Sequence, residues 1–284
     1  MRILSIQSSV SYGHVGNSAA VFPLQRLGHE VMPVYTVIFS NHTGYGSWTG
    51  PMLRGEDVRD LVRGIDERGG LDDVELVLSG YQGGDDIGDA ILDAVALVKQ
   101  RNPRAVYACD PVLGSADNGC FVAPEVQTLI RDRVVPQADL ISPNQFELGF
   151  LTGTAPQTLE ETLASADQLR DAGGPSQVLV TSVLRPDRPA DTIEMLAITP
   201  AGAWIVQTPR LPFKANGSGD VTSALFSAHL VESGDPAYAL GRTAASVFEL
   251  LVGTLASGQR ELQLIESQEA YASPTHVFDV ERVR

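Results

Sequence analysis

The sequence predicts an α/β protein with a mainly parallel central sheet and helices on both faces. Three observations carry this. Short apolar runs alternate with amphipathic stretches along almost the whole chain. The apolar runs are strand-length and end in Gly, Pro, Ser, Asp or Asn. One adjacent pair of runs meets at Pro200-Ala201-Gly202, which reads as a hairpin near the end of the sheet.

In order, the first strand is Ile3–Gln7, followed by a helix over Gly16–Leu27. Val31–Val37 is the second strand, and Glu56–Arg68 the helix that returns from it. Leu76–Ser79 leads to a helix at Ile87–Gln100, and Ala105–Cys109 to one at Pro124–Val134. Leu140–Ile141 is a short strand before helices at Gln145–Leu151 and Leu159–Ala172. Val178–Val183, Glu194–Thr199 and Gly202–Thr208 are the last strands, and Val221–Ser233 and Pro236–Ser257 the last helices. Gly173-Gly174-Pro175 and the Arg185 to Pro189 stretch are loops by composition. With no repeat, low-complexity tract or linker, residues 1–284 read as one domain.

Composition narrows the function. A net charge of −15 disfavours nucleic acid and anionic membrane as partners. No apolar run reaches membrane-spanning length, and the chain opens directly on a strand without a signal-peptide pattern. Two cysteines, Cys109 and Cys120, make neither a disulfide framework nor a metal cluster, so a cytoplasmic location is expected. Only Lys99 and Lys214 are lysines, and the lysine-bearing P-loop is absent. Any phosphate site must therefore be built another way.

Asn216-Gly217-Ser218-Gly219-Asp220, ahead of a small-residue helix, supplies that alternative. Two glycines around a serine let the backbone turn and offer N–H groups, and the following helix aims its positive end at the same place. Asp220 there would repel a phosphate unless it serves as a general base toward an attacking hydroxyl. The competing reading is a helix cap. Other strand ends carry further candidates. Ser8 is either a ligand contact or a cap. Phe39 to Trp48, including Thr43, is either a flap over an aromatic ligand or a contact ribbon, and His42 in it carries no catalytic assignment. Tyr81 faces either a pocket or the core. Asp110, Asn144 and Glu147 are hard oxygen donors suited to Mg²⁺, although Asn144 and Glu147 also have capping-box spacing. Thr181 and Ser182 offer hydroxyls to a phosphate.

Cys109-Asp110-Pro111-Val112-Leu113-Gly114, the run from Val134 to Glu147 and Gly217-Ser218-Gly219-Asp220 resemble the pyridoxal kinases of the ribokinase-like superfamily. Tyr12-Gly13-His14-Val15-Gly16-Asn17 and Phe39-Ser40-Asn41-His42-Thr43-Gly44-Tyr45 are similar to pyridoxal kinases in particular. The resemblance implies a three-layer α/β/α fold, a homodimer, Mg²⁺, and K⁺ as an additional activator. It implies ATP-dependent phosphorylation of the 5′-hydroxymethyl group of pyridoxal, with pyridoxine and pyridoxamine as further candidates. Carried over by position, Asp220 is the base and Gly217, Ser218 and Gly219 the anion hole. Ser8, Val15, Phe39, Thr43 and Tyr81 line the pyridoxal pocket together with Asp220. Asp110, Ser142, Asn144, Glu147, Thr181 and Ser182 serve nucleotide and cations, with Asp110 and Glu147 toward the metal. Thr208, Pro209, Arg210 and Leu211 match a stretch near the adenine or ribose. One departure stands out: many animal members have a metal-associated aspartate where this chain has Ser115, and Asp117 is displaced from it by two residues. The loop around Lys214 carries no family role.

Three rival functions remain at this level. A hydroxymethylpyrimidine kinase shares the chemistry, but such relatives commonly have cysteine where Asp220 stands and lack the Phe39–Tyr45 pattern. A vitamin B6-binding protein with vestigial activity would not need the intact Gly217–Asp220 set. A pyridoxal-phosphate-dependent enzyme needs a Schiff-base lysine in a suitable setting, which neither Lys99 nor Lys214 has.

Overall fold

The computed structural model describes residues 1–284. Its strands are β1 (Arg2–Tyr12), β2 (Glu30–Asn41), β3 (Val74–Ser79), β4 (Val106–Cys109), β5 (Gly114–Ser115), β6 (Gly119–Cys120), β7 (Leu140–Ile141), β8 (Gln177–Val183), β9 (Thr192–Thr199), β10 (Gly202–Pro209) and β11 (Val280–Arg282). The helices are α1 (Asn17–Arg26), α2 (Gly55–Asp66), α3 (Asp85–Arg101), α4 (Pro124–Leu129), α5 (Gln145–Thr152), α6 (Leu159–Asp171), α7 (Ser218–Ser233), α8 (Pro236–Ser257) and α9 (Gln268–Ala272). Nine strands form the main sheet in the order β11-β10-β9-β8-β7-β4-β3-β1-β2. From β2 to β8 every neighbour is parallel, and β8-β9-β10-β11 is antiparallel. The expected hairpin is β9–β10, with Gly202 opposite Thr199.

Alternation along the strands sorts the core into two layers. Leu4 and Ile6 of β1 face one side, where they meet Val58 of α2, Ile91 of α3, Val126 of α4, Leu148 of α5 and Ala166 of α6 in one cluster. Ile3 of β1, with Leu76 and Leu78 of β3, faces the other side with Leu24 of α1, Phe226 of α7 and Leu240 of α8. The result is helix, sheet, helix.

Helix α7 is buried from Val221 to Leu230 on every side, because it lies between the sheet, α1 and α8. That position explains its Ala and Ser content: Ser223, Ala224, Ser227 and Ala228 let three neighbours approach. Helix α8 is the one helix long and apolar enough to cross a membrane, and 56% of its most apolar window is buried inside the protein.

The structure differs from the sequence reading in four places. Strands β1 and β2 run on together to Tyr12 and Asn41, past a register shift after Gln7 that carries them toward the carboxyl end of the sheet. The expected helix to Val134 becomes α4 plus a wider turn over Ile130–Val134, ahead of Pro136, which cannot donate a helical hydrogen bond. The β5–β6 hairpin is too short to show periodicity. Strand β11 pairs with β10 from the far end of the chain.

Candidate active site

All the strand-end motifs gather at the carboxyl edge of the parallel strands, where ligands bind in open α/β sheets. The anion loop is built differently from the expectation that both glycines make the turn. Only Gly217 has a left-handed backbone, with φ 85°. A Cβ on it would lie 1.9 Å from the His14 carbonyl oxygen, so no other residue fits. Gly219 is already helical, because α7 starts at Ser218 rather than Val221, and a Cβ there would meet no protein atom. Ser218 turns its N–H and its hydroxyl back onto the Ala215 carbonyl, at 3.4 and 3.0 Å. Val221 N–H is taken by the Gly217 carbonyl at 3.0 Å, which leaves Gly219, bordering the groove at the positive end of α7, to offer its N–H.

Asp220 lies in that first turn, and no side-chain cap bond forms at this helix end. Its carboxylate accepts N–H bonds from Gly16 and from its own backbone. Burial nevertheless dominates and pushes its pKa up to about 6. Gly16 belongs to the loop beside Ser8: a Cβ at Gly16 would lie 2.4 Å from the Ser8 hydroxyl oxygen. Asp220 thus stands between the Ser8–Gly16 side and the helix end.

Behind Asp220 lies a chain of buried polar groups. The Ser142 hydroxyl donates to Ser223 Oγ at 2.8 Å, and the Ser223 hydroxyl donates to Asp110 Oδ2 at 2.6 Å. Ser223 was not expected from the sequence, although it sits one helical turn beyond Asp220. Glu147 accepts from Leu113 N–H at 2.7 Å and Gly114 N–H at 3.2 Å through one oxygen, and from Asn144 N–H at 2.9 Å through the other. The Asn144 side chain returns a cap to Glu147 N–H at 3.0 Å, so the capping box exists in addition to any cation role. Burial first, then Glu147 and Asp220, drive Asp110 well above the usual carboxylate range. Burial, opposed by its three N–H bonds, lifts Glu147 to about 7. No three His, Cys, Asp or Glu side chains form a closed metal cage. Three mutually repelling carboxylates near a helix N-terminus nonetheless fit Mg²⁺, which keeps several waters and takes one or two carboxylates besides phosphate oxygens.

On the other side of Asp220, Val15 and Phe39 pack with Val10 and Val37 into a small separate apolar cluster, and Tyr81 lies against it. Ser8 is buried next to Gly16. Phe39 is covered by Trp48, ring centres 6.0 Å apart. Thr43 is exposed, in a single helical turn over Thr43–Tyr45 that His42 caps by accepting from Gly44 N–H at 3.0 Å. His42 is thus a turn-former.

Of the residues expected on the nucleotide side, Asn144, Thr181, Ser182 and Thr208–Leu211 line an open groove of about 2070 Å³, whereas Asp110, Ser142 and Glu147 are buried and do not line it. Ser218 and Gly219 also border it, with Val247, Phe248 and Leu251 of α8 as an apolar wall. Ser182 has φ 55° and Val112, in the loop after Asp110, has φ 43°. A β-branched residue such as Val112 is costly in that region, and Val112 sits at a carboxylate, donating its N–H to Asp110 Oδ1 at 3.3 Å. Ser115 lies on the groove, as does Asp117, which forms an ion pair with Lys214 across it. Both side chains of that pair are largely exposed, and Asp117 stands two residues from Ser115.

A parallel sheet between two helical layers, a helix end free to hold phosphate, and a raised carboxylate beside it define a ribokinase-like, ATP-dependent kinase acting on a small molecule. A sequence profile of the family described as phosphomethylpyrimidine kinase matches residues 87–263. Pyridoxal kinase PdxY of Leifsonia xyli is 66% identical over 100% of both chains, and that of Corynebacterium diphtheriae 57% identical over 100% of both. The pyridoxal kinase of Leishmania donovani in complex with ADP and ginkgotoxin superposes with a TM-score of 0.92 at 28% identity, covering 100% of this chain and 99% of that one. Its complex with ADP and pyridoxine matches with the same TM-score of 0.92. The chain belongs to the pyridoxal kinase family.

Proposed function

We propose that this protein transfers the γ-phosphoryl group of ATP to the 5′-hydroxymethyl oxygen of pyridoxal, and of pyridoxine and pyridoxamine, in salvage of vitamin B6. The observation that carries the residue assignment is Asp220. It is partly open to the site, raised to about 6, and set between the Ser8–Gly16 loop and the N-terminus of α7. At neutral pH it is ionised yet close enough to its pKa to accept a proton.

In the transfer, the substrate hydroxyl gives its proton to Asp220 as its oxygen forms the new bond to the γ-phosphorus. The bond from that phosphorus to the β,γ-bridging oxygen breaks, and ADP leaves. The Gly219 N–H group and the α7 dipole hold the charge on the transferring oxygens. The Val15, Phe39 and Tyr81 cluster takes the ring, with Ser8 and Thr43 as polar contacts. Asn144, Thr181, Ser182 and the Thr208–Leu211 segment take the nucleotide. Asp110 and Glu147 are the residues that would hold Mg²⁺, which would supply neutralisation of phosphate charge. K⁺ is proposed as an additional activator on the family resemblance alone.

The enzyme works as a homodimer in the cytoplasm. Exposed Ile38, Trp48 and Met52 on edge strand β2 and the ribbon paired with it support the first statement. Two free cysteines support the second. A coupled ADP-release assay across pyridoxal, pyridoxine, pyridoxamine and hydroxymethylpyrimidine tests the activity. Turnover confined to hydroxymethylpyrimidine overturns it. The matched span of the phosphomethylpyrimidine kinase profile begins after Tyr81, so it omits the whole apolar cluster on which the choice of ring rests.

A further inference from the structure

Three consecutive residues after α8 touch three separate parts of the site. Arg260 lies over the Tyr45 ring at 3.8 Å and donates to the Gly44 carbonyl at 2.9 Å. Glu261 accepts from the Tyr45 hydroxyl at 2.6 Å through one oxygen and from His14 N–H at 3.1 Å through the other. Leu262 is buried, and its Cδ1 would lie 3.3 Å from a Cβ on Gly217.

Glu261 is used by nothing in the reaction, yet both of its oxygens are bound to segments that border the substrate. The geometry of its seat is specific. Gly13 has φ 90°, and a Cβ there would stand 2.2 Å from Glu261 Oε2, so the carboxylate occupies space that a side chain would fill. The neighbouring carboxylate pushes the Tyr45 phenol up to about 12, which keeps the proton on Tyr45 as donor. Tyr12, edge-on to Tyr45 with ring centres 6.1 Å apart, packs beside the same junction.

We propose that Glu261 is a positioning residue that latches the Thr43–Tyr45 flap to the Gly13–Gly16 loop, closing the pyridoxal side of the site. Two substrate-side features hang on the latch. Thr43 is two residues from Tyr45. Val15 and Gly16 follow His14 directly, and Gly16 supplies an N–H to Asp220. Releasing Glu261 frees the flap and loosens that N–H. The nucleotide side of the groove is walled by β8, β10 and α8, and the flap borders it only at one end, through His42, Thr43 and Gly44.

The proposal rests on pyridoxal being the substrate, so wild-type turnover of pyridoxal is measured first. Its absence refutes that reading and not the latch. Glu261→Gln, Tyr45→Phe and the double variant are then compared for KM and kcat toward both substrates. Each single variant is expected to raise the pyridoxal KM about tenfold, as for loss of a hydrogen bond to a charged group. The ATP KM should stay within about twofold of wild type. The double variant should be little worse than the poorer single one, because both break one latch. Unchanged pyridoxal KM in both single variants, or a parallel rise in ATP KM, overturns the proposal. Tyr45→Phe removes a single oxygen at a half-buried position and decides the matter alone if Glu261→Gln does not fold.

Discussion

Replacing Asp220 by Asn separates chemistry from stability in one change. Asn keeps the shape and still accepts the Gly16 N–H, but it cannot take a proton from the substrate hydroxyl. Turnover should fall by about 10²-fold or more, the size of a general-base contribution. Stability should move the other way. The Asp220 pKa is about 6 in the fold against an ordinary 3.8, so the fold binds a proton more tightly than the unfolded chain does. Above pH 6 the carboxylate is ionised in both states, and the fold bears the whole cost of burying the charge. Between 6 and 3.8 the folded form protonates first and the cost fades. Below that range both states are neutral and it is gone. The difference corresponds to about 3 kcal/mol, which solvent access through the groove trims to about 1–2 kcal/mol. At pH 8, Asp220→Asn should therefore melt roughly 2–5 °C above wild type. The gap should close as pH falls toward 4. Wild-type kcat/KM for pyridoxal should decline below about pH 6 as the base protonates. Paired melts at pH 8 and pH 4.5, with a coupled assay and calorimetric ATP binding, check all of this. Activity within about threefold of wild type in Asp220→Asn would remove Asp220 as the base.

Gly217→Ala should lose both stability and activity, because its Cβ would collide with the His14 carbonyl at 1.9 Å in a backbone of φ 85°, whereas Gly219→Ala should fold normally. A raised ATP KM in Gly219→Ala, with an unchanged melt, would locate phosphate at that N–H, and an unchanged ATP KM would argue against it. Ser115→Asp should lower the Mg²⁺ concentration at half-maximal rate, since Ser115 leaves the position short of a carboxylate; superimposable Mg²⁺ titrations refute this. Thr43→Ala should cost roughly 0.5–1.5 kcal/mol of pyridoxal interaction, seen in its KM and not in that of ATP.

Periodicity and turn chemistry in the sequence were enough for the architecture. The order of strands and helices, the hairpin at Pro200-Ala201-Gly202 and the two helical layers all follow from patterns local to each element. The strand-end motifs were legible for the same reason: Asp110, Asn144, Glu147 and Asp220 each follow an apolar run or open a helix, and a parallel sheet brings such positions to one edge. The sequence also carried the family, through motifs spread from Tyr12 to Asp220, and a relative matches along the whole chain.

Tertiary packing decided the rest. Sequence treats Gly217 and Gly219 alike, and only the approach of the His14 carbonyl makes the first one obligatory. No local rule links Ser223 to Asp110, which are joined because α7 is driven into the core beside the end of β4. Lys214 and Asp117 meet across a groove that exists only once the loops around it are in place. Glu261 lies 216 residues from Tyr45 and 247 from His14, beyond the reach of any helix or strand period. Carboxylate pKa values belong to this second group as well. A sequence supplies the acids, but the burial that raises Asp110, Glu147 and Asp220, and the repulsion that adds to it at Asp110 and Glu147, arise only when separate strand ends converge.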